Sequence, residues 1–413
     1  MNFVFISPHF PTNYWNFVQR LHQNGVNVLG IGDCPYEQLR WELRDSLTEY
    51  YRVDNMENYD EMLRAMGYFT FRYGKIDWVE SNNEYWLEQD AQLRTDFNIT
   101  TGLNASEISR YKSKSGMKAY YEKAGIPVAR YHMVKEKADC LEFIKQVGYP
   151  VVAKPDSGVG SSDNWKIKNE ADLNRFLAGK RYGVQYIMEE FVDGEIVTFD
   201  GISGRNAEIF YATSHVSPDS IMDAVNEKTS LWYYVDKSIA DNLRKAGEAT
   251  IKAFDARNRF FHCEFFRLKT GKPGLGKKGD IVGLEVNMRP AGGFTVDMEN
   301  FAGSLDLYQL WADMVAFGEM RHPLAEKMQY CVCATRRDKN VYSVPQEEIY
   351  KKYNKNLVMV ERLPEVLADT MGNMLYIACF DTKKEMDDFS KMVITTHKNK
   401  AARKQEKKPA ASG

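Results

Sequence analysis

The chain has 413 residues, of which 44% are apolar and 27% charged, and its formal net charge is −2. That length allows roughly two to four domains with proper cores, and the near-neutral charge gives nucleic acid or an anionic membrane no electrostatic reason to be the main partner. No stretch approaches about 18 consecutive apolar residues, the N-terminus MNFVFISPHF lacks a basic leader, and Cys34, Cys140, Cys263, Cys331, Cys333 and Cys379 show no CxxC spacing, so a cytoplasmic protein with reduced thiols is expected.

The first hundred residues alternate strand and helix. Phe3–Ser7 and Val26–Ile31 read as strands around a helix that ends at Gly25. A helix over Glu37–Tyr50, a strand at Tyr51–Val53, a helix at Tyr59–Phe71, a strand at Ile76–Val79 and a helix near Glu84–Phe97 follow. Such alternation implies a doubly wound parallel sheet, with ligands at the carboxyl ends of its strands. His9, Glu80 and Glu84 fall there and are weak substrate-site candidates. No GxGxxG follows the first strand, so a dinucleotide is poorly supported.

A second unit begins near Ser106. Lys112–Lys123 reads as a helix stopped by Gly125, Val128–Val134 as a strand, Asp139–Val147 as a helix and Val151–Lys154 as a buried strand. The loop PDSGVGSSD follows. Its glycines let backbone N–H groups turn toward phosphate oxygens, its serines add donors, and Lys154 brings a charge to its edge. The loop is not a Walker motif, and a surface hairpin of this composition is common. Tyr186–Glu190 and Ile196–Ser203 are further strands.

Phe260–Leu268, FFHCEFFRL, buries Glu264 among aromatics, where a carboxylate is costly unless paired or metal-bound. Arg267 lies on the opposite strand face and cannot neutralise it. The loop TGKPGLGKKGD joins this strand to Ile281–Gly293, IVGLEVNMRPAGG, making a hairpin. There Glu285, Asn287 and Arg289 share one face before Pro290 ends the ladder. Two carboxylates and a carboxamide suit a hard cation, and an arginine beside them suits phosphate or carboxylate.

The order of these features resembles the ATP-grasp superfamily, and in detail its carboxylate–amine ligases, relatives of biotin carboxylase and D-alanine–D-alanine ligase. A lysine in a helix comes first, then a lysine before a glycine loop, EEFVDGE, and two glutamates ending in ExNxR over residues 106–310. The resemblance implies an N-terminal α/β domain (1–105), an ATP-grasp fold of two α+β subdomains (106–185 and 186–320) and ATP held between them. It implies that Lys114 and Lys154 meet phosphates under the loop Ser157, Gly158, Gly160, Ser161 and Ser162. Glu190 and Val192 would offer backbone groups to adenine, with Glu189 beside them. Glu264, Glu285 and Asn287 would hold magnesium, with manganese as an alternative, and Arg289 would steady an acyl phosphate. The ribose position departs from the family pattern, with Ile196 after Glu195, which leaves Glu195 open as ribose ligand.

Phe301–Phe317 reads as a helix, and residues 321–397 as a small α+β subdomain with strands at Tyr330–Thr335, Leu357–Val360 and Leu375–Phe380 and a helix at Lys383–Met392. The basic run 398–413 has no large apolar residue and is expected to be disordered. The function so implied is ATP-dependent ligation of small-molecule carboxylates and amines through an acyl phosphate. No nucleic acid or membrane partner is expected, and a homodimer is compatible. The rival readings are a kinase on the same scaffold and a nucleotide-gated binding protein.

Overall fold

The computed structural model describes residues 1–158, 163–219, 228–324 and 328–397; the expected loop residues Gly160, Ser161 and Ser162 and the tail 398–413 lie outside them. Among the described residues, three sheets carry the chain. The first holds β1 (Asn2–Ile6), β2 (Asn27–Gly32), β3 (Glu49–Arg52) and β4 (Trp78–Glu80) in the order β3-β2-β1-β4, all parallel. Phe3, Val4, Phe5 and Ile6 are wholly buried, as a strand covered on both faces requires. The helix expected over Glu37–Tyr50 is reduced to a 3-10 turn at Tyr36–Gln38 and a helix at Trp41–Ser46, because Leu47 turns extended and Glu49 and Tyr50 pair with β2 instead.

The second sheet is antiparallel, β5-β8-β6-β7, from β5 (Tyr131–Met133), β6 (Val151–Pro155), β7 (Trp165–Ile167) and β8 (Tyr186–Glu190). Helices Lys137–Val147 and Glu170–Gly179 cover one face through Phe143, Ile144, Leu173 and Phe176. The other face carries Lys154 and Glu189.

The third sheet has nine strands. β9 (Gly194–Ser203), β10 (Ile209–Thr213), β11 (His215–Ser217), β12 (Trp232–Val235), β13 (Arg259–Leu268), β14 (Ile281–Asn287), β15 (Tyr330–Arg336), β16 (Leu357–Arg362) and β17 (Met374–Phe380) follow in chain order. They lie side by side as β14-β13-β9-β11-β12-β15-β17-β16, with β10 on β9. Because β12 pairs with β15, the sheet runs without a break past residue 320. Phe199, Cys263, Phe265 and Val286 point to the face packed by helices Lys114–Lys123 and Asp241–Phe254. Even-numbered Thr198, Asp200, His262 and Glu264 therefore take the opposite face.

The single helix expected over Phe301–Phe317 is two helices, Thr295–Gly303 and Leu307–Phe317. Ser304 breaks it with a φ of 49°, and the Asp306 carboxylate then accepts from the N–H of Gln309 to cap the second helix. Trp311 of that helix meets Phe3, Phe5, Phe17 and Phe260, binding the first sheet to the third. All six cysteines are free, and no helix among the described residues is long and apolar enough to cross a membrane.

Candidate functional site

The site lies between the open faces of the second and third sheets. Antiparallel register sets Glu264 of β13 directly opposite Glu285 of β14, with His262 opposite Asn287. Like charges facing each other across a strand pair are unfavourable without a cation between them. A bulge follows Glu264, so that Phe265 pairs with Gly283. It re-aims the strand and puts Glu285 on the open face together with buried Val282. Glu264 is 23% and Glu285 22% exposed at the side chain, which leaves both carboxylates reachable. Two carboxylates and the Asn287 carboxamide form a hard-oxygen set that fits magnesium.

Three lysines stand near these acids, one paired with Glu285 and two with Glu189. Lys114 Nζ is 3.1 Å from Glu285 Oε1 and 3.4 Å from the carbonyl of Gly158. Lys118 and Lys154 clamp buried Glu189 at 2.6 and 2.7 Å. Burial alone would lower the Lys154 ammonium, but Glu189, then Glu285 and Glu264, raise it above its ordinary value. Burial alone would raise Glu189, and Lys154 and Lys118 instead hold it at about 2. Asp156, which sequence reasoning passed over, joins the lysine-bearing elements. Its carboxylate accepts from Ser113 Oγ and the N–H of Ser115, and its carbonyl accepts from the N–H of Lys114, so the helix starts at the end of β6.

The segment between the two sheets is pinned by Lys272, from the β13–β14 loop, which reaches Glu190 Oε2 at 3.0 Å and donates to the carbonyl of Phe191. Arg130 takes the same carboxylate at 2.8 Å, and the N–H of Glu190 donates to the Arg130 carbonyl. Val192 is buried against Ala129, Leu268 and Val282, and its own N–H and C=O have no partner among the described residues.

Not every sequence candidate reaches this place. The register sets Glu195 opposite Arg267, on the face away from Glu264, and its carboxylate pairs with that guanidinium at 3.1 Å. Glu80 is buried between Arg94 and Arg259, at 2.9 and 2.8 Å, which accounts for its charge without a ligand. His9 pairs with Asp33 at 3.3 Å at the end of the first sheet. Glu84 does come near: it pairs with Lys112 at 3.2 Å and lies 3.9 Å from Arg289 Nε. Glu84 Oε2 has no hydrogen-bond partner among the described residues although it is buried. Glu84 and Arg289 line a cavity of about 180 Å³ with Tyr14, Phe17, Val296 and Tyr308. Ser157 and Gly158 stand at the end of β6 as expected from the sequence.

Sequence reasoning also missed Lys118 and a buried chain of polar groups. Lys118 lies one helical turn from Lys114, and that spacing was the available signal. Asp200 accepts from His215 Nδ1 through one oxygen and from His262 Nδ1 through the other, both at 2.7 Å. His262 Nε2 reaches Glu264 Oε1 at 3.0 Å. Burial alone would lower His262, but Asp200 first and then Glu264 raise it to about 9, so the ring carries its proton at neutral pH. Asp200, His215 and His262 are close enough together to be considered as metal ligands. Their 2.7 Å contacts are hydrogen-bond distances, shorter than the about 3.3 Å between donors on a tetrahedral ion with bonds near 2.0 Å.

No family model matches the chain. It is 24% identical over 284 residues to the alanine–anticapsin ligase of Bacillus subtilis, a match covering 63% of this chain and 57% of that protein. The chain thus spans somewhat over half the length of that curated relative. The crystal structure of an L-amino acid ligase from Bacillus licheniformis superimposes with a TM-score of 0.70 at 14% identity, over 95% of this chain and 96% of that one. N5-carboxyaminoimidazole synthetase from Staphylococcus aureus, complexed with ADP, gives a TM-score of 0.66 at 16% identity over 95% and 96%.

Proposed function

We propose, for a chain that belongs to the ATP-grasp superfamily, that it joins a small-molecule carboxylate to an amine at the expense of ATP, through an acyl phosphate. The carrying observation is the Glu264–Glu285 cross-strand pair faced by Lys114 and Lys154. Two acids in register call for a divalent cation, and the lysines beside them call for phosphates.

In this reading the adenine edge meets the free N–H and C=O of Val192, beside Glu190. Lys114 and Lys154 take phosphate oxygens, with Ser157 and Gly158 at the base of the covering loop. Glu189 anchors Lys118 and Lys154 through one ion pair each, and its charge helps to hold Lys154 protonated. Glu264, Glu285 and Asn287 would hold magnesium, which when bound neutralises phosphate charge. Attack of a carboxylate on the γ-phosphorus brings two anions together, so a concentration of positive charge is what the protein must supply. Arg289 adds a planar pair of donors on the side of Glu84 and the small cavity. Glu84 would there meet a cationic substrate group and Arg289 a carboxylate, the two ends of an amino acid. The name of the Bacillus subtilis relative, an alanine ligase, favours that class. The division at residue 105, the cytoplasmic location and the absence of nucleic-acid and membrane partners belong to the same proposal.

Glu285→Gln tests it. ADP formation with a pool of L-amino acids should fall at least a hundredfold, on the order of 3 kcal/mol of barrier, while the melting temperature stays within a few degrees. Full activity in the variant would remove the metal assignment. Phosphorylated product without amide in the wild type would make the chain a kinase instead.

A further inference from the structure

The third sheet continues the row of site residues beyond the metal-ligand candidates. Glu285, Glu264 and Thr198 are consecutive cross-strand partners on β14, β13 and β9. Extending the β9–β11 register by one pair from Val216↔Val197 sets His215 opposite Thr198. The N–H of His215 accordingly donates to Thr198 Oγ1 at 2.9 Å. His215 thus stands on the same open face as the two acids, two strands from Glu264, or about 10 Å at ordinary strand spacing.

Its ring is fixed on three sides. Nδ1 donates to Asp200 at 2.7 Å, His262 stacks on one face at 5.4 Å, and the Tyr233 ring lies 5.6 Å away. Thr198 Oγ1 completes the cradle at 3.1 Å from Nδ1. Nε2 has no hydrogen-bond partner among the described residues, and it is not among the sealed polar atoms of the interior. A carboxylate holding one imidazole nitrogen while the other stays free fixes the tautomer of a base. The charged and titratable groups against the ring are Asp200 of β9, His262 of β13 and Tyr233 of β12. Farther off, Glu264 of β13 is within electrostatic reach of His215, and Glu299 of the helix Thr295–Gly303, whose buried Oε1 has no partner among the described residues, is within electrostatic reach of Asp200 and His262.

We infer that the amine substrate binds beside His215, and that His215 Nε2 takes the proton an ammonium must lose before it can attack. This rests on the ligation reading above. The step balances as follows: an ammonium gives one proton to Nε2, and the freed lone pair forms the C–N bond as the C–O bond to phosphate breaks. A second N–H proton leaves with the phosphate as monohydrogen phosphate, the third remains on the amide, and His215 ends as imidazolium. No group beyond the acyl phosphate and the amine is needed. Asp200 acts through His215 and is a positioning residue.

Partition between two nucleophiles tests this. Hydroxylamine is largely unprotonated at neutral pH and needs no base, whereas an amino acid's ammonium does. Full-length His215→Gln would be given ATP, magnesium, a pool of L-amino acids and hydroxylamine. Hydroxamate would be read by its ferric colour and peptide by mass. The ratio of hydroxamate to peptide should rise about a hundredfold or more over wild type, the usual worth of a general base. Asp200→Asn, which keeps the shape and misdirects the ring, should raise it in the same direction. An unchanged ratio in both variants, whatever the total rate, would overturn the inference. Absence of both products from the wild type would overturn the ligation reading, and this inference with it.

Discussion

At the scale of single residues, the arginine and the buried glutamate have separable duties. Arg289 stands 3.9 Å from Glu84 and lies close enough to Glu264 to hold that carboxylate down, after His262. Lysine at this position keeps the charge and loses the fork. Arg289→Lys should therefore leave ATP binding, measured by calorimetry with magnesium, nearly intact. Ligation should fall ten- to a thousandfold, on the order of 1.4–4 kcal/mol. Glu189 has a different signature. Its carboxyl sits at about 2 in the folded chain against an ordinary 4.5. A depressed acid contributes stability above the unfolded value and loses it as pH falls through the folded one. Between about pH 5 and pH 2 this group should withdraw about 3 kcal/mol from the folded state. Glu189→Gln should be less stable than wild type at pH 7, because Lys118 and Lys154 are left buried without their counter-ion, and its acid limb in denaturant titrations should be shallower.

At the scale of elements, the decisive contact is between one helix and one hairpin. Tyr121, on Lys114–Lys123, lies over Gly283 of β14 and donates to the carbonyl of Glu285 at 3.0 Å. The same helix carries Lys114 and Lys118, so this ring sets the height of two lysines above the acids. A methyl group on Gly283 would come within 2.7 Å of the ring. Gly283→Ala should then cost about 1–3 kcal/mol of stability by overpacking and weaken ATP binding together with it. A stability loss with unchanged ATP affinity would show that the helix can shift without moving its lysines.

At the scale of the whole molecule, the first and third sheets are held by a buried charge cluster as well as by Trp311. Glu80 ends β4, Arg94 lies on the helix Leu87–Asp96, and Arg259 begins β13; all three are buried. The burial and both arginines explain Glu80, and the two guanidiniums hold its carboxyl below the ordinary value although burial opposes them. Glu80→Gln leaves two guanidiniums short of a counter-ion, and the expected loss is about 3–5 kcal/mol in chemical denaturation. The KM for ATP should change less than about twofold, since no nucleotide-facing group moves. A large KM effect at full stability would return Glu80 to the substrate site.

What the sequence determined by itself was what local periodicity and order along the chain encode. The apolar runs of β1 and β2, the strand ending in Glu285–Asn287 and the lysine before the glycine loop were legible, and their order pointed to the fold. Two elements misled, the helix over Glu37–Tyr50 and the one over Phe301–Phe317, because sheet pairing and a left-handed Ser304 overrode helical patterning. Only tertiary structure decided which carboxylates serve the site. Glu80 and Glu195 look as available as Glu264 in one dimension, yet arginines from other strands or elements claim them. The bulge after Glu264 sets which face its partners share, and the row from Glu285 to His215 crosses four strands far apart in sequence. Register between distant strands is a property of the packed sheet, where burying one face fixes which side chains the other face presents.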